Sequence, residues 1–259
     1  MDGVAIRPRA YVGVRGPDAE DFLQRMVSND VSQESCEALL LTPKARVIAP
    51  LTVWRRGETD FLLLTEPELG DVVLRHLTRM RLRAQVEIGP EEHTSHVVLG
   101  GDDGIPTANY GTPAVEVVDA DLDPTMGDEE LERLRVLAGT PRWGREIDDR
   151  ILPAEAGLDE TAISFTKGCY PGQEPVARLR HRGRANRALR LLEIEGDELP
   201  TYDAELSFED KVVGRVTSAV RDGERVIALA YVRRQVPEDA ELELGDTIAR
   251  ALDSIATRP

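Results

Sequence analysis

The spacing of apolar residues predicts a mixture of helices and strands in the first half of the chain. Helical periodicity runs over residues 16–27, 67–80 and 127–138, and each run has acidic residues near its start or Gly or Pro near its end. Strand-like runs lie between these helices at residues 36–41, 46–54, 60–64, 86–88, 96–99 and 114–118. The first three strand runs are joined by short turns and therefore predict a β-meander.

The pattern changes twice after the third helix. Residues 139–183 are punctuated by Gly and Pro and show little periodicity, which predicts loops that hold functional groups on a scaffold. From residue 185 onward, short apolar runs follow one another at close intervals with hairpin-like turns between them. This pattern of short apolar runs and turns predicts a small antiparallel sandwich or barrel. We therefore expect two domains, at residues 1–184 and 185–259.

Composition narrows the classes of function. The chain has 259 residues and a net charge of −16, so we expect no direct nucleic-acid binding, because an acidic surface repels phosphates. Two cysteines rule out a disulfide framework, a four-thiolate zinc site and a self-sufficient iron–sulfur cluster. The apolar runs are too short to span a membrane, and the N-terminus has no secretory pattern. We expect a cytoplasmic monomer with no membrane association and no tightly held metal.

The most specific local feature is the segment 166–174, which surrounds Cys169 with two glycines and a proline. Such a backbone turns sharply and leaves a thiol poorly shielded. Lys167 lies two residues away, where it can stabilise a thiolate, and Gln173 and Glu174 offer polar contacts to a ligand. The alternative is a structural loop with an inert cysteine. Cys36 lies in an apolar run and is interpreted as a core residue.

A run of arginines follows the cysteine segment. Thirteen residues hold six of them: Arg178, Arg180, Arg182, Arg184, Arg187 and Arg190. This is the one strong positive cluster in the acidic sequence, and guanidinium groups suit carboxylates and phosphates. The run is interpreted as a site for a small polyanion or an acidic partner. The alternative is an exposed strand whose arginines pair with acids of the same chain.

The segment 167–174, continued by residues 176–178 and 181–183, resembles the motif of the YgfZ family, folate-binding proteins related to the glycine-cleavage T-protein. Residues 16–31, 134–141 and 153–158 are also similar to stretches of that superfamily. The resemblance implies an α+β fold, with two α/β modules in a GcvT-like (TrmE N-terminal-like) arrangement, a C-terminal antiparallel β-barrel and a central folate-binding hole. It implies tetrahydrofolate as cofactor and iron–sulfur proteins, including tRNA-modifying enzymes, as clients.

The resemblance also implies roles for single residues. Cys169 and Lys167 are the expected catalytic pair. The expected folate contacts are Asn29, Trp143, Glu155, Gln173, Glu174, Arg178 and Arg182.

Two departures separate the chain from the T-protein. The acidic pair that serves aminomethyl transfer corresponds to Ala49 and Pro50, and a pterin-holding glutamate corresponds to Leu137. Three functions therefore stay open: a folate-binding factor that assists assembly or repair of iron–sulfur clusters, a folate-dependent one-carbon transferase, and a binding module that has lost folate. The first is the main expectation, because the cysteine segment is its hallmark.

Overall fold

The computed structural model describes residues 3–183 and 185–252, without the side chain of Arg182. The N-terminal part contains, in chain order, β1 (Gly3–Ile6), β2 (Ala10–Arg15), α1 (Ala19–Met26), β3 (Ser35–Leu41), β4 (Val47–Gly57), β5 (Asp60–Thr65), α2 (Gly70–Met80) and β6 (Glu87–Glu91). Five of these strands form an antiparallel sheet in the order β3-β4-β5-β2-β6, so the predicted meander is confirmed.

Both predicted helices of this part pack on one face of the five-stranded sheet. Phe22 and Leu23 of α1 and Val73 and Leu77 of α2 are buried in a common core with the inward side chains of the strands. The helices form because their apolar positions recur at helical spacing and give each helix one apolar face. On the other face of the sheet, Leu39, Leu41 and Val47 pack in a second core with residues of the segment 147–176.

A second sheet has four antiparallel strands in the order β1-β7-β9-β8. Its further elements are β7 (Ser95–Leu99), β8 (Ile105–Thr107) and β9 (Ala114–Val118), followed by α3 (Asp128–Leu137). Leu131 and Leu134 of α3 pack on this sheet against Val97 and Leu99. Because β1 pairs in this sheet and β2 in the first, residues 7–9 cross from one sheet to the other.

The segment 139–183 is more regular than its sequence predicts. It contains α4 (Leu158–Thr161) and α5 (Gln173–Arg182), so the expectation of loops alone is wrong for these residues. Helix α5 follows Gly172, whose φ of +85° suits glycine. Its periodicity is weak because Val176 and Leu179 are the only large apolar residues among its ten, the rest being mostly charged.

The C-terminal part is a closed antiparallel barrel, as predicted. Its strands are β10 (Arg187–Ile194), β11 (Glu205–Phe208), β12 (Lys211–Asp222), β13 (Arg225–Arg233), β14 (Glu241–Leu244) and β15 (Thr247–Ala251). Pairing of β10 with both β13 and β15 closes the ring. The first barrel strand begins two residues beyond the start of the predicted second domain, and the division into domains stays a prediction. In the described part of the chain, no helix has the length and apolar character needed to cross a membrane.

Candidate functional site

A cavity of about 280 Å³ lies where the two sheets meet the segment 140–162. Its walls come from β3 and β4, the crossing residues 7–9, helix α3 and helix α4. The volume is close to the lower end of the range of about 300–1,000 Å³ for small-molecule sites. The cavity therefore has room for the ring system of a ligand, with the rest of the molecule extending outward.

The crossing segment carries buried ion pairs into the wall of this cavity. Arg9 donates to both carboxylate oxygens of Glu116, at 2.9 and 2.8 Å, and Glu116 also accepts a 2.6 Å hydrogen bond from Ser95. Burial alone would raise the pKa of Glu116, but the Arg9 guanidinium outweighs it and the pKa is lowered. Arg7 pairs with Glu66 at 2.5 Å. Paired, hydrogen-bonded charges of this kind are preorganised, because neither partner is free to turn away.

A second network joins helix α3 to the barrel. Arg135 donates to Glu132, to Glu146 at 3.0 Å and to Ser218 of β12 at 2.8 Å. Ser218 in turn donates to Glu146 at 2.6 Å. Arg142 completes the wall by donating to Glu132 at 3.1 Å. The barrel thus fixes one side of the cavity, although the lining itself comes from the two sheets and the segment before the barrel.

The remaining lining groups fit a reduced folate. Trp143 and Tyr110 provide flat aromatic surface for a ring to pack on. Arg7 is a lining cation, and its guanidinium is already paired with Glu66. Glu37 adds a carboxylate. The flat surface and the carboxylate acceptor match the ring and the ring N–H groups of a folate.

The two departures from the T-protein occupy different environments. Pro50 lines the cavity, whereas Ala49 is buried among the residues that face α1 and α2. Leu137 packs near Val136 and the barrel residue Leu229, away from the cavity lining. None of the three residues offers a carboxylate, and Pro50 alone of the three lies on the cavity wall.

The cysteine segment lies outside the cavity lining and presents its thiol to solvent. Cys169 is exposed, while the next residue, Tyr170, is buried in a core with Leu41 and Ile163. A side chain at Gly172 would meet the carbonyl oxygen of Thr42 at 2.7 Å, so the backbone packs too closely there for any other residue. The loop is therefore anchored on one side of a projecting thiol.

Lys167 anchors the other side. Its Nζ donates to the carbonyl oxygens of Val27 and Asn29, each at 2.8 Å, at the end of α1. Burial lowers the pKa of Lys167 to about 8, and the nearby Asp30 carboxylate opposes this shift. The ammonium is thus directed to the carbonyl oxygens that follow α1. Its expected action on the Cys169 thiolate stays a prediction.

Cys36 differs from Cys169 in its surroundings. It lies on β3 beside the core between the first sheet and its helices, and burial raises the pKa of its thiol to about 12. A neutral, shielded thiol is a poor nucleophile and a poor metal ligand. This environment agrees with its interpretation as a core residue.

The predicted folate contacts do not all lie in the cavity. Trp143 lines the cavity. Asn29 donates to the carbonyl oxygens of Glu37 and Thr161 and so joins β3 to α4, while Glu155 accepts from Arg187 at 3.0 Å. Both side chains hold neighbouring segments together.

The predicted folate contacts that follow Cys169 in the sequence lie on α5. Gln173, Glu174 and Arg178 are outside the cavity lining, and Glu174 pairs with Arg178 on an exposed surface. Arg182 belongs to α5, but its side chain is outside the described residues, as is residue 184. A role for these residues in folate binding stays a prediction.

The arginine run is not a single strip. Arg178 and Arg180 lie on α5, whereas Arg187 and Arg190 lie on β10. Arg187 pairs with Glu155 and Arg190 donates to the carbonyl oxygens of Val236 and Pro237. The alternative thus holds in part: Arg187 pairs with an acid of the same chain from a strand, Arg178 pairs with one from a helix, and Arg190 bonds carbonyl oxygens.

Most of the residues that line the cavity were not predicted from the sequence. Its charged lining residues are Arg7, Arg9, Glu37, Glu66, Asp128, Glu132, Arg135 and Arg142, four cations and four acids. They come from distant parts of the sequence, and no spacing between them marks a site. In the described residues, no group of three His, Cys, Asp or Glu side chains is arranged to hold a metal ion.

Comparison with known proteins finds relatives of this chain. No protein-family model matches it. It is 29% identical to the mitochondrial iron–sulfur cluster assembly factor IBA57 homolog of Pyricularia oryzae, covering 69% of this chain and 54% of that protein, about half its length. It is 26% identical to the tRNA-modifying protein YgfZ of Shigella sonnei, covering 88% of this chain and 85% of the relative.

The fold has a solved counterpart. The glycine cleavage system aminomethyltransferase T of Bartonella henselae is similar with a TM-score of 0.82 and 18% identity, over 98% of this chain and 85% of that one. This likeness confirms the predicted fold class, a T-protein-like α+β arrangement with a C-terminal barrel. Together with the relatives, it confirms the resemblance found in residues 167–174: the chain is similar in sequence to YgfZ and to iron–sulfur cluster assembly factors, and similar in fold to the glycine-cleavage T-protein.

Proposed function

We propose that this protein binds tetrahydrofolate in the central cavity and assists the assembly or repair of iron–sulfur clusters in client enzymes, with Cys169 as its working thiol. The names of two relatives, an iron–sulfur cluster assembly factor and a tRNA-modifying protein, support this role and point to tRNA-modifying enzymes among the clients. The observation that carries the proposal is the exposed thiol on a loop that is fixed on both sides.

The loop geometry suits a thiol that meets another protein. Lys167 and Tyr170 fix the backbone on either side of Cys169, so the sulfur projects without a large loss of entropy on contact. A thiolate is both the nucleophile in thiol exchange and a ligand for iron. One thiolate supplies one ligand, so the other ligands of a cluster come from the client. The protein would then act as an accessory factor.

The cavity suits the folate. When bound, a reduced folate supplies one-carbon or redox chemistry, and the chain's own residues bind and orient it. Trp143 would pack on the ring, and the partly exposed Arg142 would be the lining cation that meets a folate carboxylate. Among the contacts predicted from the sequence, Arg178 lies on α5 outside this lining, so a longer glutamyl tail would have to leave the cavity to reach it.

Replacement of each cysteine by serine, in separate variants, tests the proposed role. In a strain that depends on this protein for an iron–sulfur tRNA-modifying enzyme, Cys169→Ser abolishes modification, whereas Cys36→Ser supports it. Cys169→Ser unfolds at the wild-type urea midpoint because the residue is exposed, whereas Cys36→Ser lowers the midpoint because it places a hydroxyl beside the core. Loss of modification in the more stable variant therefore cannot come from unfolding. Full modification with Cys169→Ser would contradict the proposal.

The alternative function is a folate-dependent aminomethyl transferase. The fold of its structural counterpart favours it, but Pro50 in the cavity wall leaves the expected acid missing. Turnover of tetrahydrofolate with an aminomethyl donor would support this alternative, and we expect none.

A further inference from the structure

Glu37 lies on the face of β3 that borders the cavity. Side chains alternate along a strand, and Ala38 and Leu40 belong to the core that faces the helices α1 and α2. Leu39 and Leu41 belong to the core on the opposite face. The alternation places Glu37 on that opposite face, in agreement with its presence in the cavity lining.

Pro50 shares this wall. On β4, Pro50 and Thr52 line the cavity, whereas Ala49 faces the helices. The register pairs Glu37 with Thr52 and Leu39 with Pro50. Glu37 is therefore the diagonal neighbour of Pro50 on the next strand, at a typical Cα distance of about 7–8 Å. A carboxylate is thus present on the wall from which the T-protein acid is missing, and it comes from the adjacent strand.

The Glu37 carboxylate has no hydrogen bond or ion pair with another described residue, although its own carbonyl oxygen accepts from Asn29. Two other lining acids, Glu66 and Glu132, are occupied by arginines. Asp128 is also unpaired, but it is exposed at the start of α3. Glu37 is the half-buried lining acid with both oxygens available to a ligand.

We propose that Glu37 recognises the edge of a pterin ring that carries an amino group beside a ring N–H. This inference rests on the proposed folate binding and assigns the residue that selects the ring. An ionised carboxylate has two acceptor oxygens and no donor, so it matches two neighbouring N–H donors. A ring with an oxo group in place of the amino group would set acceptor against acceptor.

Calorimetric titration with folinate, the formyl derivative of tetrahydrofolate, tests the assignment. Glu37→Gln weakens binding about tenfold to a hundredfold, since it removes a charge-assisted pair of hydrogen bonds. Asp128→Asn is the matched control, because it neutralises the other unpaired lining acid, and it binds as the wild type does. Urea unfolding of each variant shows that the fold is kept.

A second arm uses a folinate analogue without the exocyclic amino group and needs no folded variant. The wild type binds this analogue at least about tenfold more weakly than folinate, and Glu37→Gln no longer distinguishes the two. Equal binding of folinate by wild type and Glu37→Gln would overturn the assignment and leave folate binding intact. Absence of folinate binding by the wild type would overturn both the assignment and the proposed folate binding.

Discussion

The cavity wall and the cysteine loop hold their functional groups in different ways. In the wall, Arg9 and Arg135 are buried and bonded to carboxylates, so the charges are fixed before a ligand arrives. In the loop, the functional group of Cys169 is exposed, and the fixing contacts are made by its neighbours to main-chain carbonyls and the core. A small ligand therefore meets a preorganised pocket, and a client protein meets an accessible thiol.

The strongest test of this comparison is to break a buried pair in the wall. Arg9→Ala leaves Glu116, of which 3% is exposed, without a counter-charge, and should lower the free energy of unfolding by about 3–5 kcal/mol. Urea unfolding monitored by circular dichroism measures the loss. Arg9→Ala combined with Glu116→Gln should recover part of it, because no buried charge is left unpaired.

The matched control lies beside the cysteine loop. Arg178 pairs with Glu174 one turn away on α5, and their side chains are 70% and 85% exposed. Arg178→Ala should change the free energy of unfolding by no more than about 0.5 kcal/mol. Losses of similar size for Arg9→Ala and Arg178→Ala would contradict the contrast between the wall and the loop.

The two thiols should differ in reactivity in the folded protein. Burial raises the pKa of Cys36 from 9.0 to about 12, which reduces its thiolate fraction near neutral pH about a thousandfold. An aromatic disulfide reagent should therefore modify one thiol rapidly in the native protein and two in denaturant. Cys169→Ser should remove the rapid phase. A native Cys36 that reacts as fast as Cys169 would contradict the assignment of the working thiol.

A further test concerns the anchor of the loop and depends on pH. Burial lowers the pKa of Lys167 from 10.5 to about 8, so between these values the unfolded chain binds a proton that the folded chain does not. Stability therefore rises with pH in this interval relative to Lys167→Met, which cannot titrate. Urea midpoints of both proteins from pH 7 to about 10.5 measure the difference. A constant difference across the interval would show that Lys167 titrates as an exposed lysine.

The elements with strong periodicity were predictable. Helices α1, α2 and α3, the meander and the barrel strands all follow from local apolar patterns, because each buries one face. The pattern failed at β1 and β2, which Pro8 separates and which pair in different sheets. It also failed at α5, where Val176 and Leu179 alone provide large apolar side chains for packing.

The cysteine loop and the cavity also differed in how far the sequence predicted them. The cysteine loop was predictable because its glycines, proline and thiol are contiguous, and Gly172 indeed has a backbone that suits glycine. Trp143 was predicted to contact the ligand, but the rest of the cavity was not predictable, because residues such as Arg7, Glu37 and Glu132 are far apart in the chain and meet only in the tertiary structure. The arginine run shows the opposite case, a cluster in sequence that the fold divides between a helix and a strand.

The sequence by itself determined most of the elements, the resemblance to a family and the position of the thiol. Each of these depends on neighbouring residues: periodicity for helices and strands, a contiguous motif for the family, and turn-forming residues for the exposed cysteine. Only the tertiary structure decided which charges meet, that Lys167 is directed to α1, and that Glu37 stands beside Pro50 on the cavity wall. These facts depend on strand register and sheet crossing, which place residues side by side without regard to their distance in the chain.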